Sequence, residues 1–236
     1  MVEAEWPHCC EQVPEGRFFA PIASDSLQLS IEELAAMAGD DKGPRLCVVV
    51  PAGGGRAGEE RLRAVLAVPA VACVILTRPG EGDGATELKR AVEQVQARGV
   101  AALIEADAGL ARTLKADGVH LPWSRTLDDD YRTAREILDA RAIVGAEAGS
   151  RHDAMSLGEA GASYVTFRVA AADDRAEALA DRLDLAAWWA EIFEIPGIAF
   201  DVAEVADAAA LIAIGIDFLG LEVTDTAGID RLRAVA

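Results

Sequence analysis

Short apolar runs alternate with longer amphipathic stretches about eight times between Arg45 and the end of the chain. Each apolar run has the length expected of a strand that is buried on both faces of a sheet. The stretches between them, such as 87–97 and 176–192, repeat apolar residues with the period of a helix and carry charged outer faces. The predicted strands are Leu46–Val50, Val71–Leu76, Val100–Glu105, Gly118–Leu121, Ala142–Ala146, Tyr164–Phe167, Ile198–Phe200 and Phe218–Leu221.

Regular alternation of strands and helices predicts a parallel sheet, and eight such units are enough to close the sheet into a barrel. We therefore predict an α/β fold, a (β/α)8 TIM barrel formed as a single domain by residues 44–236. Residues 1–43 do not follow the pattern and are interpreted as an N-terminal arm with a short helix capped by Ser30. An open, doubly wound parallel sheet is the alternative.

Composition excludes several classes of function. A hydrophobic fraction of 52% is ample for a packed core. The net charge of −18 argues against a nucleic-acid partner, which requires lysine and arginine to neutralise phosphates, and against an anionic membrane surface. No apolar stretch approaches the roughly 20 residues of a membrane span, and no basic segment opens the chain, so we expect a cytoplasmic protein.

The four cysteines predict neither a disulfide framework nor a metal site. Cys47 and Cys73 lie within strand-like apolar runs, so we expect them to be buried. His8, Cys9 and Cys10 are adjacent in sequence, but the second pair of ligands that a closed zinc site requires is missing nearby.

Barrels of this class carry their chemistry where the strands end. At the carboxyl ends of the predicted strands the sequence places a set of residues that we expect to bind a ligand: Arg78, Glu105, Asp107, Trp123, Arg168, Asp201 and Glu222. A rim so rich in carboxylates favours cations and hydroxyl-rich ligands over phosphates. The indole of Trp123 is suited either to stacking on a flat heterocycle or to capping the barrel mouth.

Two histidines are candidate catalytic residues, because imidazole titrates near neutral pH. His120 lies on the fourth predicted strand, and His152 lies near the start of the helix that follows the fifth. A hydrogen-bonded core histidine and a surface histidine are the respective structural alternatives.

The segment Ala116-Asp-Gly-Val-His-Leu121 resembles the corresponding turn and strand of thiamine phosphate synthase and of the TenI-type thiazole tautomerase. Further similar segments follow the same order and spacing: Gly99–Ile104, Ile143–Gly145, Gly161–Val165, Ile195–Ala199 and Gly215–Asp217. The resemblance implies a (β/α)8 barrel that is commonly an oligomer, so we expect a homo-oligomer. In the synthase, a pyrimidine diphosphate and a thiazole phosphate are joined, with magnesium holding the pyrophosphate.

Several functional positions of that family carry other residues here. The two aspartates that bind magnesium correspond to Ala106 and Arg125, which supply no oxygen ligand from their side chains. The small residues that let a phosphate approach after strands seven and eight correspond to 200–202 and 221–223, where a phenylalanine and two carboxylates stand. The histidine of the tautomerase corresponds to Gly149.

We therefore expect a divergent member of this family that binds a small heterocyclic molecule at the rim, with the magnesium and phosphate sites lost and no cofactor. Two alternatives stay open. One is an active synthase that uses magnesium through rearranged ligands. The other is a tautomerase-like enzyme that uses His120 or His152 together with Glu105.

Overall fold

The computed structural model describes residues 45–78, 84–171 and 174–236. The predicted N-terminal arm, its helix beginning at Ser30 and the adjacent residues His8, Cys9 and Cys10 lie outside the described residues.

Within the described residues, eight parallel strands alternate with eight helices, and β8 pairs with β1 to close the sheet. The predicted (β/α)8 barrel is confirmed, and the open doubly wound alternative is wrong. None of the described helices is both long and apolar enough to cross a membrane. The elements are β1 Arg45–Pro51, α1 Gly55–Val65, β2 Val71–Thr77, α2 Gly84–Gln96, β3 Ala101–Glu105, α3 Ala108–Leu114, β4 Gly118–Leu121, α4 Leu127–Ile137, β5 Ile143–Glu147, α5 Arg151–Glu159, β6 Tyr164–Phe167, α6 Arg175–Ile192, β7 Gly197–Ala199, α7 Val205–Ala213, β8 Phe218–Glu222 and α8 Thr226–Val235.

Strand boundaries differ from the sequence prediction by about one residue, and two of these differences affect the barrel mouth. β5 continues through Glu147, because that residue still pairs with Thr166 of β6. β7 ends before Phe200, since the next residue, Asp201, adopts a left-handed φ of 61° that is incompatible with an extended strand.

Successive strand residues face opposite sides of the sheet, which separates two apolar regions. One lies between strands and helices and includes Val48 and Val50. The other fills the barrel and includes Ile75 and Leu103. The prediction that both strand cysteines are buried is confirmed, because Cys47 and Cys73 lie in the barrel interior.

Strand tilt and register arrange the inward side chains in layers of four that come from alternate strands. The lower layers are largely apolar, whereas the layers toward the carboxyl ends of the strands are polar. From the barrel mouth downward, the last three layers include Thr77, Arg168 and Glu222, then Val49, Glu105, Glu147 and Phe200, then Ile75, His120, Thr166 and Gly220.

Glycines make room for two aromatic rings inside the barrel. A Cβ atom on Gly145 would lie 2.1 Å from Cζ of Tyr164, and one on Gly220 would lie 2.4 Å from Cδ1 of Phe200. Both rings have their centroids 6.0 Å from that of His120. The rings therefore occupy the space that the glycines leave, directly below the polar mouth.

Gly145→Ala should destabilise the barrel by about 1–3 kcal/mol, because the added methyl group overlaps the Tyr164 ring and overpacks a closed interior. Thermal denaturation measures the effect. Gly109→Ala in α3 is the matched control, since its Cβ would lie 3.5 Å from Asp107 Oδ1, an ordinary contact, and alanine favours helix. Equal melting temperatures for Gly145→Ala and the unchanged protein would contradict this account of the interior.

Candidate ligand site at the barrel mouth

Arg168 is the central cation of the barrel mouth. Its Nε lies 3.2 Å from Glu147 Oε2, and its Nη1 lies 3.0 Å from Asp201 Oδ1. Its guanidinium carbon stands 4.6 Å from the centre of the Phe200 ring, which adds a cation–π contact. The guanidinium is thus held between two partly buried carboxylates and over an aromatic face.

Asp201 depends on contacts that hold its unusual backbone. Its φ of 61° is uncommon for a residue with a side chain. The Asp201 carboxylate accepts a hydrogen bond from the Val169 amide at 3.1 Å, and the preceding carbonyl, of Phe200, accepts one from Arg182 Nη1 at 2.6 Å. The buried Arg182 also pairs with Asp207. Arg182 therefore stabilises the turn that places Asp201 against the central arginine.

Two further carboxylates, Glu105 and Glu222, face the mouth without a hydrogen bond or ion pair to any residue that the structure describes. Burial raises the pKa of Glu105, and the negative charge of Glu222 raises it further, while Arg168 opposes both effects. Burial also raises the pKa of Glu147 despite its ion pair with Arg168, because loss of hydration outweighs that attraction. One guanidinium therefore faces four carboxylates.

His120 lies beneath these carboxylates, in the barrel core. It is 1% exposed, and its Nδ1 is 3.1 Å from the Tyr164 hydroxyl oxygen. Burial, assisted by the positive charge of Arg168, lowers the pKa of His120 to about 3. The ring is consequently neutral near pH 7. The neighbouring Thr166 is fully buried, and its hydroxyl has no hydrogen-bond partner among the described residues.

Three other predicted site residues, Arg78, Asp107 and Trp123, lie at the same end of the barrel, but their side chains do not pair with Arg168. Arg78 forms an ion pair with Asp107, whose other carboxylate oxygen accepts the Leu110 amide and so caps α3. Trp123 is 48% exposed, and its Nε1 donates to Asp153 Oδ2 at 3.1 Å.

The structure brings together four of the predicted residues and leaves the two histidines apart. Glu105, Arg168, Asp201 and Glu222 share the mouth. His152 lies on the exposed first turn of α5 and forms no ion pair with this group. The predicted catalytic roles of both histidines stay predictions.

Sequence reasoning missed Glu147 and Thr166. Both face the barrel interior, Glu147 as the last residue of β5 and Thr166 within β6, two residues after Tyr164. Extending the fifth predicted strand by one residue and following its alternation would have found Glu147. Nothing in the sequence indicates that the Thr166 hydroxyl is buried without a hydrogen-bond partner.

The residues present do not fit the magnesium ion that the resemblance implies. Ala106 offers only a methyl group, and its amide donates to the His120 carbonyl at 2.8 Å. Arg125 is exposed and cationic. In the part of the chain that the structure describes, no three or more histidine, cysteine, aspartate or glutamate residues are grouped to hold a metal ion.

Such barrels bind a phosphate at the ends of strands seven and eight. Four backbone amides of these turns donate within the protein. Those of Val202, Ala203, Val223 and Gly228 donate to Gly220 O, Asp207 Oδ2, Val49 O and Asp225 Oδ1. The carboxylates of Asp201 and Glu222 stand beside them, so a dianion would meet like charges there.

Glu105→Gln should raise the melting temperature more at pH 8 than at pH 4.5. Because the folded pKa of Glu105 is raised, the folded protein keeps a proton that the unfolded chain releases, and stability falls as pH rises through that window. Each kcal/mol recovered corresponds to about 2–4 °C. Glu93→Gln, at a well-exposed position of α2, should show no such difference. An equal shift of Glu105→Gln at both pH values would refute the assignment.

The imidazole of His120 should stay neutral between pH 5 and pH 8. The unfolded chain takes up this proton near pH 6.5, whereas the folded protein does so only near pH 3. The stability that neutral His120 contributes is therefore present above pH 6.5 and lost as pH falls toward 3. Heteronuclear NMR of the ring nitrogens measures this directly, and a protonation midpoint between pH 5 and pH 8 would contradict it.

Comparison with known proteins agrees with this fold. Residues 46–221 match the protein family described as thiamine monophosphate synthase. Thiamine-phosphate synthase of Erythrobacter litoralis is 37% identical over 158 residues, covering 64% of this chain and 73% of that protein. The enzyme of the same name from Rhodospirillum centenum is 38% identical over 167 residues, covering 68% and 78%.

A solved structure described as thiamine phosphate pyrophosphorylase from Pyrococcus furiosus superposes with a TM-score of 0.64 at 18% identity, covering 80% of this chain and 93% of that one. At this identity the likeness shows the fold alone. The family match covers most of the barrel, and both sequence relatives carry the name thiamine-phosphate synthase. The chain belongs to the thiamine monophosphate synthase family.

Proposed function

We propose that this barrel binds a small, uncharged or cationic heterocycle at its mouth and does not carry out magnesium-dependent coupling of phosphorylated substrates. The observation that carries the proposal is the charge of the mouth. Among the described residues, the four carboxylates of Glu105, Glu147, Asp201 and Glu222 face one guanidinium, that of Arg168. A partly buried cluster of this sign attracts cations and repels phosphates.

Arg168 does not offset this repulsion for an incoming phosphate. Its guanidinium already pairs with Glu147 and Asp201, so a phosphate would have to displace at least one carboxylate that has no other basic partner among the described residues. Leaving a partly buried charge unpaired is costly. The mouth therefore selects against the pyrophosphate group.

Trp123 supplies a surface for a flat ring. Its indole Nε1 donates a hydrogen bond to Asp153, and its backbone lies near enough to Glu147 to oppose the rise in the pKa of that carboxyl. A Cβ on Gly149 would lie 2.7 Å from the indole Nε1, so the ring packs closely on that glycine. The exposed remainder of the indole is suited to stacking on a heterocycle beside the carboxylates.

An active synthase is the second candidate, and the names of the sequence relatives favour it. Both relatives compared above are called thiamine-phosphate synthase and are 37% and 38% identical to this chain. For that activity, magnesium would need ligands other than the family's two aspartates. The two candidates differ in whether the protein binds pyrophosphate with magnesium.

Isothermal titration calorimetry of the full chain separates the candidates. We expect heat from an unphosphorylated thiazole or aminopyrimidine and none from magnesium with pyrophosphate. Glu222→Gln should allow weak pyrophosphate binding, because it removes a negative charge that has no ion-pair partner among the described residues. Glu93→Gln is the matched surface control.

Tight binding of magnesium pyrophosphate would refute the proposal. Formation of thiamine phosphate from the two phosphorylated substrates, abolished by EDTA, would establish the second candidate instead.

A further inference from the structure

The barrel interior contains two thiols on neighbouring strands, below the charged mouth. Cys47 of β1 and Cys73 of β2 are direct partners in the register of this parallel pair. Both side chains belong to the apolar cluster that fills the barrel, so they leave their strands on the same face of the sheet. The two sulfur atoms therefore lie side by side.

The spacing of the two strands suits a disulfide. Neighbouring strands of a sheet lie about 4.8 Å apart, and a disulfide joins Cα atoms that are about 4.4–6.8 Å apart. Inward-pointing side chains of a closed barrel also converge toward its axis, which brings the Cβ atoms of the two cysteines closer than a flat sheet would. A bond between the sulfurs therefore requires no change in strand pairing.

The two thiols already influence each other and their surroundings. Interaction with the Cys47 side chain is the largest of the causes that raise the pKa of the Cys73 thiol, and burial is the next. Burial, followed by the negative charge that either cysteine would carry, raises the pKa of the Tyr164 hydroxyl. The cysteines therefore share one poorly solvated space with this ring.

Cys73 is the cysteine that a small oxidant reaches first. It keeps 5% of its surface exposed, whereas Cys47 is fully buried. Cys73 also lines, together with Tyr164, Ile198 and Phe218, a cavity of about 30 Å³, which is room for one molecule of the size of water. Hydrogen peroxide is only slightly larger. It can meet the Cys73 sulfur there, and Cys47 is in place to react with the product.

We propose that Cys47 and Cys73 form a reversible disulfide that joins β1 to β2 when a peroxide is present. The Cys73 thiolate attacks one peroxide oxygen, the O–O bond breaks, and the hydroxide that leaves takes up the proton of the Cys73 thiol, which gives a sulfenic acid and water. The Cys47 sulfur then attacks the Cys73 sulfur, the S–O bond breaks, and hydroxide leaves with the Cys47 proton as a second water. Two thiols lose two electrons, and one hydrogen peroxide is reduced to two waters.

The disulfide closes the segment 48–72, which contains α1, into a loop. A link across such a segment restricts the unfolded chain and so stabilises the folded barrel. Because the thiolate is the reactive form and the pKa of Cys73 is raised, little of the nucleophile is present at neutral pH and the reaction is slow. The pair therefore responds to sustained oxidation, and it acts independently of any ligand at the mouth.

Peroxide treatment of the full chain tests the link. Cys9 and Cys10, which lie outside the described residues, are first replaced by serine, so that Cys47 and Cys73 are the only cysteines of the sequence. After treatment, we expect the mass to fall by that of two hydrogen atoms. No thiol of the unfolded product should react with iodoacetamide, and dithiothreitol should restore both thiols. The oxidised chain should melt ~5 °C or more above the reduced chain.

Two variants in the same serine background serve as controls. Val74 pairs with Val48 and faces the helices, so the Cys73→Ala, Val74→Cys double variant keeps two thiols but directs them to opposite faces of the sheet. It should form no disulfide within the chain. Cys47→Ala should gain oxygen at Cys73 instead, because the sulfenic acid then has no neighbouring thiol to react with.

Two iodoacetamide-reactive thiols in the peroxide-treated chain would overturn the proposal, as would an equal yield of disulfide in the double variant. Oxidised and reduced chains that melt at the same temperature would overturn it as well. If both sulfurs gain oxygen without joining, the two cysteines are only small residues of the apolar interior, and the proposal fails.

Discussion

Closure of eight parallel strands directs every second side chain of each strand toward one axis, and the chemistry of this protein depends on that constraint. In the lower barrel the inward residues are small or apolar, and two glycines admit the rings of Tyr164 and Phe200. Near the carboxyl ends the same geometry brings charged residues from different strands into one narrow space. Those that are partly withdrawn from water pair with an opposite charge or shift their pKa.

Both outcomes occur at the barrel mouth. Arg168 pairs with Glu147 and Asp201, which requires Asp201 to adopt a left-handed backbone that Arg182 holds through the Phe200 carbonyl. Burial raises the pKa of Glu105 and Glu147. Glu105 and Glu222 form no ion pair with any residue that the structure describes. A loop residue with an unusual backbone conformation thus supplies one of the two carboxylates that pair with Arg168.

The chain can belong to the family and still carry different residues at the barrel mouth, because family membership and the chemistry of the mouth depend on different positions. The match to the thiamine monophosphate synthase family spans residues 46–221 and includes the apolar strands and the turns that begin them, which set the barrel. The mouth is formed by a few residues at the other ends of the strands, and these can change while the strands keep their pairing. Fold and family therefore identify the ancestry of the chain, and the chemistry has to be argued from the site.

The sequence alone determined the barrel, its eight strands and the burial of Cys47 and Cys73, because the alternation of apolar runs and helices is a local property. It also placed Glu105, Arg168, Asp201 and Glu222 at strand ends. Only the tertiary structure decided which of these meet, since register and tilt set the neighbours across strands. It separated Arg78 and Asp107 into their own ion pair, buried His120 beneath the mouth and added Glu147 as a partner of Arg168. Burial and pairing at the axis depend on all eight strands together, and no single segment encodes them.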